Sequence, residues 1–159
     1  MAILPFFNAK QSNFQQPDYK SLGFIKPLNL PLRISGNFCE VRSNHFHSGI
    51  DFKTNGTIGH PIYAVADGYV SRIKISPYGY GKALYITHPN GFTTVYAHLS
   101  EFEDSIGAYV KRQQYKNKKF SIDIYPPKGK LMLSQGQEIA KSGNTGGSSG
   151  PHLHFEIRE

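Results

Sequence analysis

Apolar and polar residues alternate over short stretches through most of this chain, the period-two signature of strands with one buried face. Such stretches cover residues 32–34, 38–42, 61–66, 69–75, 83–88, 92–98, 131–133, 138–141 and 152–157. Ser35-Gly36-Asn37 reads as a turn between the first two. The dipeptides Asp67-Gly68 and Asn90-Gly91 each separate two stretches and predict antiparallel hairpins. Residues 104–116 break the rhythm. There Ile106, Tyr109, Val110 and Gln113 fall at helical spacing, with Asp104 placed to cap the start. A basic turn, Lys116-Asn117-Lys118-Lys119, follows, and Phe120, Ile122 and Ile124 then alternate until Pro126-Pro127. The pattern predicts a mainly β fold built from antiparallel sheet, with one short helix.

Residues 1–31 carry Pro5, Pro17, Pro27 and Pro31 and little periodicity, and read as an extended leader packed on a domain spanning 32–159. The chain stops directly after a strand with no cap, as a piece of a longer protein would. The apolar start (residues 2–7) is short, broken by Pro5 and without a basic beginning, so no secretion signal is visible.

Composition narrows the picture further. At 159 residues there is room for one domain with a real core. Hydrophobic content of 38%, with 10 Tyr and 11 Phe, excludes a disordered chain. No apolar run approaches membrane-spanning length. A net charge of +7 points to an anionic partner: nucleic acid, a membrane surface or a cell-wall polymer. The single cysteine, Cys39, rules out an intramolecular disulfide.

The chemistry concentrates at the C-terminus. On a strand, His152 and His154 point to one face while Leu153, Phe155 and Ile157 point into a core. The stretch 143–151 ahead of them, rich in Gly and Ser, reads as a pliable loop beside the two imidazoles. A catalytic zinc takes about three His, Asp, Glu or Cys ligands and keeps one position open. His47 and Asp51 are four residues apart, roughly 13 Å along a straight strand. Gly49 between them permits a turn that would bring them together. With one histidine of the 152/154 pair they make two His and one Asp. His98 and the remaining histidine suit proton transfer near neutral pH. Tyr96 and His98 share a strand face by the same alternation, so His98 can stand beside the site if its strand neighbours the last one.

Three ordered motifs carry a resemblance. His47-Ser48-Gly49-Ile50-Asp51, Tyr96-Ala97-His98-Leu99-Ser100 and His152-Leu153-His154-Phe155-Glu156 resemble those of the M23 (LytM/lysostaphin-like) zinc metallopeptidases. Phrases between them are similar too: residues 61–68, Gly79-Tyr80-Gly81 and residues 136–140. The resemblance covers about residues 32–157 and implies antiparallel sheets forming a groove. It also implies a zinc-dependent endopeptidase acting on peptidoglycan peptides in the bacterial cell envelope, periplasmic or secreted, with no nucleic acid partner. Carried over by motif, His47, Asp51 and His154 would hold one Zn2+ per chain, and His98 and His152 would be the catalytic pair. A D-Ala-to-diaminopimelate crosslink stands ahead of a glycine bridge as the bond cut.

The chain also departs from that pattern. A tyrosine that some relatives place just before the first motif is missing between residues 38 and 46, leaving Arg42 and Asn44 as weak substitutes for it. Residues 101–134 are longer than the plain connection and read as an insertion that walls one side of the groove. Asn8, Asn13 or Asp18 of the leader could supply an oxygen to the metal in a latent enzyme, although a structural strap is the expected role. Glu156 is expected to lie at the surface or to support the site without ligating, and His60 and His88, each before a proline, to sit in turns. The alternatives are a non-catalytic M23-like module that binds cell wall or activates an amidase, a cysteine peptidase using Cys39, and a lipoyl-type carrier. The last lacks a lysine at a hairpin tip.

Overall fold

The computed structural model describes residues 23–43 and 45–159. Asn8, Asn13, Asp18 and Asn44 lie outside them. Two antiparallel sheets face each other across the core. The larger runs β1 (Ile34–Gly36), β2 (Ile50–Lys53), β11 (His152–Arg158), β6 (Thr93–Ala97), β5 (Lys82–Thr87), β4 (Gly68–Ile75) and β8 (Ile122–Ile124). Short β9 (Met132–Leu133) also pairs with β4. The smaller sheet is β3 (Pro61–Tyr63), β10 (Glu138–Lys141) and β7 (Glu101–Phe102). The helix α1 (Asp104–Asn117) follows β7.

Alternation sorts the large sheet into two faces. Val70, Ile73, Leu84, Ile86, Tyr96 and Leu153 point inward and are essentially unexposed. They meet Ile62 and Ile139 of the small sheet and Ile106 of α1, so one core serves both sheets and the helix. Ile157 departs from the expected inward row and is 48% exposed, because the strand runs past the core there. The opposite face carries a second, smaller cluster of Ala83, Tyr85, Val95 and Ala97, with Tyr80 packed on it. In β4 the register shifts between Val70 and Arg72. The extra residue, Ser71, turns Arg72 and Lys74 to the open face while Ile73 and Ile75 stay inside.

Several local expectations change. The Asn90-Gly91 hairpin forms, with Thr87 opposite Thr93. Asp67-Gly68 does not close a hairpin: β3 pairs with β10 and β4 with β5, so the dipeptide is the corner where the chain passes between sheets. Turn residues specify a local bend, and the burial of Ile62 under the second sheet decides the pairing. The first strand starts later than expected, at Ile34, and includes Ser35 and Gly36. The helix cap is Glu103, whose carboxylate accepts from the Ser105 and Ile106 amides; Asp104 is already the first helical residue. The leader's described end is tied in: Leu28 is in the core and pairs with Ile62, and the Tyr63 amide donates to the Pro27 carbonyl.

Candidate metal centre and active site

Asp51 on β2 and His154 on β11 are register partners, so two adjacent strands bring them side by side. His47 arrives from the loop before β2. The three donor atoms form a near-equilateral triangle. His47 Nε2 lies 2.9 Å from His154 Nδ1, and Asp51 Oδ1 lies 3.0 Å from each. Ligands of a tetrahedral zinc at ~2.1 Å stand about 3.4 Å apart, so this triangle has to open only slightly around an ion. All three residues are buried. Among the described residues they are the set of His, Asp, Glu and Cys side chains whose donors converge in this way.

The far side of each imidazole fixes which nitrogen is free. His47 Nδ1 donates to the Asn37 carbonyl at 2.7 Å, leaving the Nε2 lone pair for the triangle. His154 Nε2 donates to Glu156 Oε1 at 2.8 Å, leaving Nδ1. A committed outer N–H of this kind sets tautomer and ring orientation at metal sites. Ser48 and Tyr80 donate to the same Glu156 oxygen, and Arg158 takes the other. Burial works to raise the Glu156 pKa, yet the bonds from His154, Arg158, Tyr80 and Ser48 outweigh it and hold the carboxyl down at about 2. Glu156 is buried, not at the surface, and stands behind His154.

Gly49 serves the site differently from expectation. Its φ is not among the left-handed ones. A Cβ there would collide with the Phe155 carbonyl and stand 2.7 Å from Glu156 Cγ, so it is the close approach to β11 that demands glycine. Gly36 plays a similar part opposite Asp51: a Cβ would strike Asp51 Oδ2 and the Arg42 guanidinium. In that space Arg42 donates to Asp51 Oδ2 at 3.1 Å, also holding Glu40 at 3.0 Å. Burial alone would raise the Asp51 pKa, but the imidazoles of His152, His154 and His47 gathered around it hold the group well below the usual carboxylate range.

His98 and His152 stand next to the triangle with ring centroids 4.6 Å apart. His98 Nδ1 donates to the Thr145 carbonyl and His152 Nδ1 to the Gly150 carbonyl, each at 2.8 Å. The Nε2 of His98 is left free, and the Nε2 of His152 faces Asp51 Oδ1 at 3.4 Å; burial works to lower the His152 pKa, and this contact helps to raise it. Burial pushes His98 down to about 4 despite the Thr145 bond, so its ring is neutral near pH 7. β6 does neighbour β11. Yet Tyr96 and His98 do not share a face: Tyr96 is buried against Phe155, while His98, just past the strand, adopts φ 58° and swings to the site.

The glycine-rich loop before β11 is held, not pliable. Thr145 Oγ1 accepts from the Lys82 amide and donates to the Leu99 carbonyl, and the Gly147 amide donates to Gly79 O at 2.7 Å. Its partner loop carries Tyr80, to which the phrase Gly79-Tyr80-Gly81 assigns no role by residue pattern alone. The Tyr80 ring lies 5.1 Å from that of His154. A tyrosine between two left-handed glycines was the available signal. His45 is exposed at the cavity mouth, and Cys39 is exposed. A cavity of ≈ 670 Å³ contains all five motif residues together with Arg42, Lys74, Tyr78, Tyr80 and Ser149. No residue of 101–134 lines it; β8 extends the sheet beyond β4 instead.

An open antiparallel sheet carrying a His/Asp/His triangle with two further imidazoles beside it defines a metallohydrolase-like centre. The profile of peptidase family M23 matches residues 45–115 and 127–159, and the chain belongs to that family. It is 34% identical over 137 residues to the peptidoglycan DD-endopeptidase ShyA of Vibrio cholerae, covering 82% of this chain and 26% of that one. It is 36% identical over 112 residues to the DD-carboxypeptidase/endopeptidase Mpg of Neisseria meningitidis, covering 70% and 20%. The chain thus spans 20–26% of the length of these relatives. Among solved structures, a zinc containing peptidase from Vibrio cholerae superposes with TM-score 0.57 at 30% identity, over 79% of this chain and 33% of that chain. The catalytic domain of lysostaphin from Staphylococcus simulans gives 0.55 at 25%, over 79% of each.

Proposed function

We propose that this chain is a zinc-dependent endopeptidase that hydrolyses peptide bonds in peptidoglycan, acting outside the cytoplasm. One observation carries the reading: four buried or half-buried histidines each spend one nitrogen on a fixed acceptor, the other nitrogens of His47, His152 and His154 converge on Asp51 Oδ1, and the His98 ring stands against that of His152. A non-catalytic module has no need of that arrangement. His47, Asp51 and His154 would hold the metal, and the donor set of two imidazoles and one carboxylate suits zinc. When bound, the ion supplies a Lewis acid for the scissile carbonyl and acidifies a water.

The remaining steps belong to the chain. His98, kept neutral by burial, presents an unprotonated Nε2 that can take a proton from the attacking water. Burial works against charge on His152, but Asp51 and the Gly150 carbonyl raise its pKa and favour its protonated form. The ring that gains the proton can then donate it to the leaving amine. The Thr145 and Gly150 carbonyls hold the two rings in place. Arg42 and Glu156 lock Asp51 and His154 from behind. The relatives named DD-endopeptidases favour a D-Ala-to-diaminopimelate crosslink over a glycine bridge.

The test is to digest purified diaminopimelate-type and glycine-bridged peptidoglycans with the zinc-loaded protein and identify products by mass. Conversion of crosslinked dimers to monomers in the first, abolished by chelator, is expected. Unchanged products from both would overturn the reading.

A further inference from the structure

The cavity around the triangle contains two cations that behave differently. Arg42 is committed to Glu40 and Asp51. Lys74 makes no ion pair among the described residues. Its neighbour Asp123 is taken at both oxygens by Arg72, at 2.6 and 2.8 Å. The bulge at Ser71 is what turns Lys74 to the open face, half-buried, toward the same cavity as the histidines. Sheet register sets its position relative to them. Asp51 pairs with His154, His154 with Ala97, and Lys74 with Ala83. Since Leu84 pairs with Tyr96, Ala83 and Ala97 are neighbouring rungs. Lys74 therefore stands three strands from His154, about 14 Å at ~4.8 Å per strand. Tyr80, packed over the two alanines, forms the surface between them.

We propose that Lys74 is a specificity residue that receives a free carboxylate of the peptide being cut. The proposal rests on the endopeptidase reading of the site and names the class of peptide. A lysine stem bridges about 6 Å of the gap, leaving roughly 8 Å between ammonium and metal triangle. An extended peptide covers that in two to three residues at ~3.3 Å each. The ligand is thus an acidic peptide with a carboxylate two or three residues from the scissile bond, as a γ-linked glutamate provides. A run of glycines provides none. Tyr78, 79% exposed at the rim, flanks the approach.

Twin stem peptides, one with free side carboxylates and one with the same groups amidated, test this. Binding is measured by calorimetry in the presence of chelator, so that no turnover is needed, on the full chain and its Lys74→Met and Lys74→Arg variants. Lys74→Met keeps an apolar stem at a half-exposed position. The unaltered protein should prefer the carboxylate twin about tenfold, Lys74→Arg should keep the preference, and Lys74→Met should bind both twins alike. Equal binding of the twins by the unaltered protein, no binding of either, or a preference that survives Lys74→Met overturns the proposal. Hydrolysis of the carboxylate twin with zinc restored is scored separately. Its absence counts against the endopeptidase reading, while the binding result still decides the role of Lys74.

Discussion

Asp51 is the residue on which most of the site converges: three imidazoles and a guanidinium approach its two oxygens. Truncating it removes one ligand and the counter-charge of the others at once. Asp51→Ala should therefore weaken metal binding by more than about 100-fold, beyond the 10- to 100-fold usual for supporting residues. Activity should fall with it. A fully metallated, active Asp51→Ala protein would sink the ligand assignment. The second residue-scale test separates ligands from proton carriers. His98 and His152 have Nε2 atoms beside the triangle but are not part of it, so His98→Ala and His152→Ala should keep the metal. Turnover should drop about 10²-fold or more in each. Metal analysis decides it: loss in His152→Ala with retention in His154→Ala would mean the two roles are reversed. As candidates these residues were legible in the sequence because ligand chemistry restricts residue type and the strand period puts His152 and His154 on one face; their division into ligands and proton carriers came from the resemblance of the three motifs. Arg42 and Tyr80 were not, since what places them is the gap left by Gly36 and the interlock of two loops.

At the scale of elements, the Asp67-Gly68 corner shows why a correct local signal gave a wrong pairing. The corner is held by His88 from the next hairpin, whose Nδ1 donates to the Asp67 carbonyl at 2.8 Å. Its Nε2 meets Thr94 Oγ1 at 2.8 Å. The ring is 3% exposed and packs against Phe24 of the leader. One histidine thus joins the corner, the β5–β6 hairpin and the leader, a role that spacing could not reveal. His98 teaches the same lesson from the other side: a single left-handed residue past β6 undoes the alternation that placed Tyr96. Burial lowers the His88 pKa, only partly offset by the Asp67 carbonyl. A depressed folded pKa means the unfolded chain binds the proton more tightly, so stability is lost as pH falls. The contribution is complete above the unfolded value of about 6.5 and declines below it, toward the lower folded value. His88→Gln should lower the melting temperature at pH 8 through lost bonds but flatten the loss between pH 6.5 and 5. Parallel thermal curves for both proteins across that window would refute the assignment.

The whole molecule is unevenly supported, and the metal triangle sits at the weaker end. β4, β5 and β6 are long, mutually paired and backed by the main core. β1 and β2 are three and four residues long, with Ile34 50% exposed. They close the edge nearest the site. His47 precedes β2, Asp51 lies on it, and His154 is on β11, so an ion held by the three would bridge the edge to the body of the sheet. A ligand that binds only the folded state stabilises it by about 2.7 kcal/mol at 100 times its dissociation constant. For a chain of this size each kcal/mol moves the melting temperature by about 2–4 °C. Chelation should therefore lower the melting temperature by roughly 5–10 °C. Hydrogen exchange should accelerate in β1, β2 and the 37–47 loop and stay slow in β4 to β6, because local opening draws on the least supported segments. Salt screens exposed charges far more than the buried triangle, so raising it should not reproduce the pattern. Uniform acceleration across both groups of strands on chelation would show that the metal holds the domain as a whole, and no acceleration in either would show that the triangle carries no ion at all.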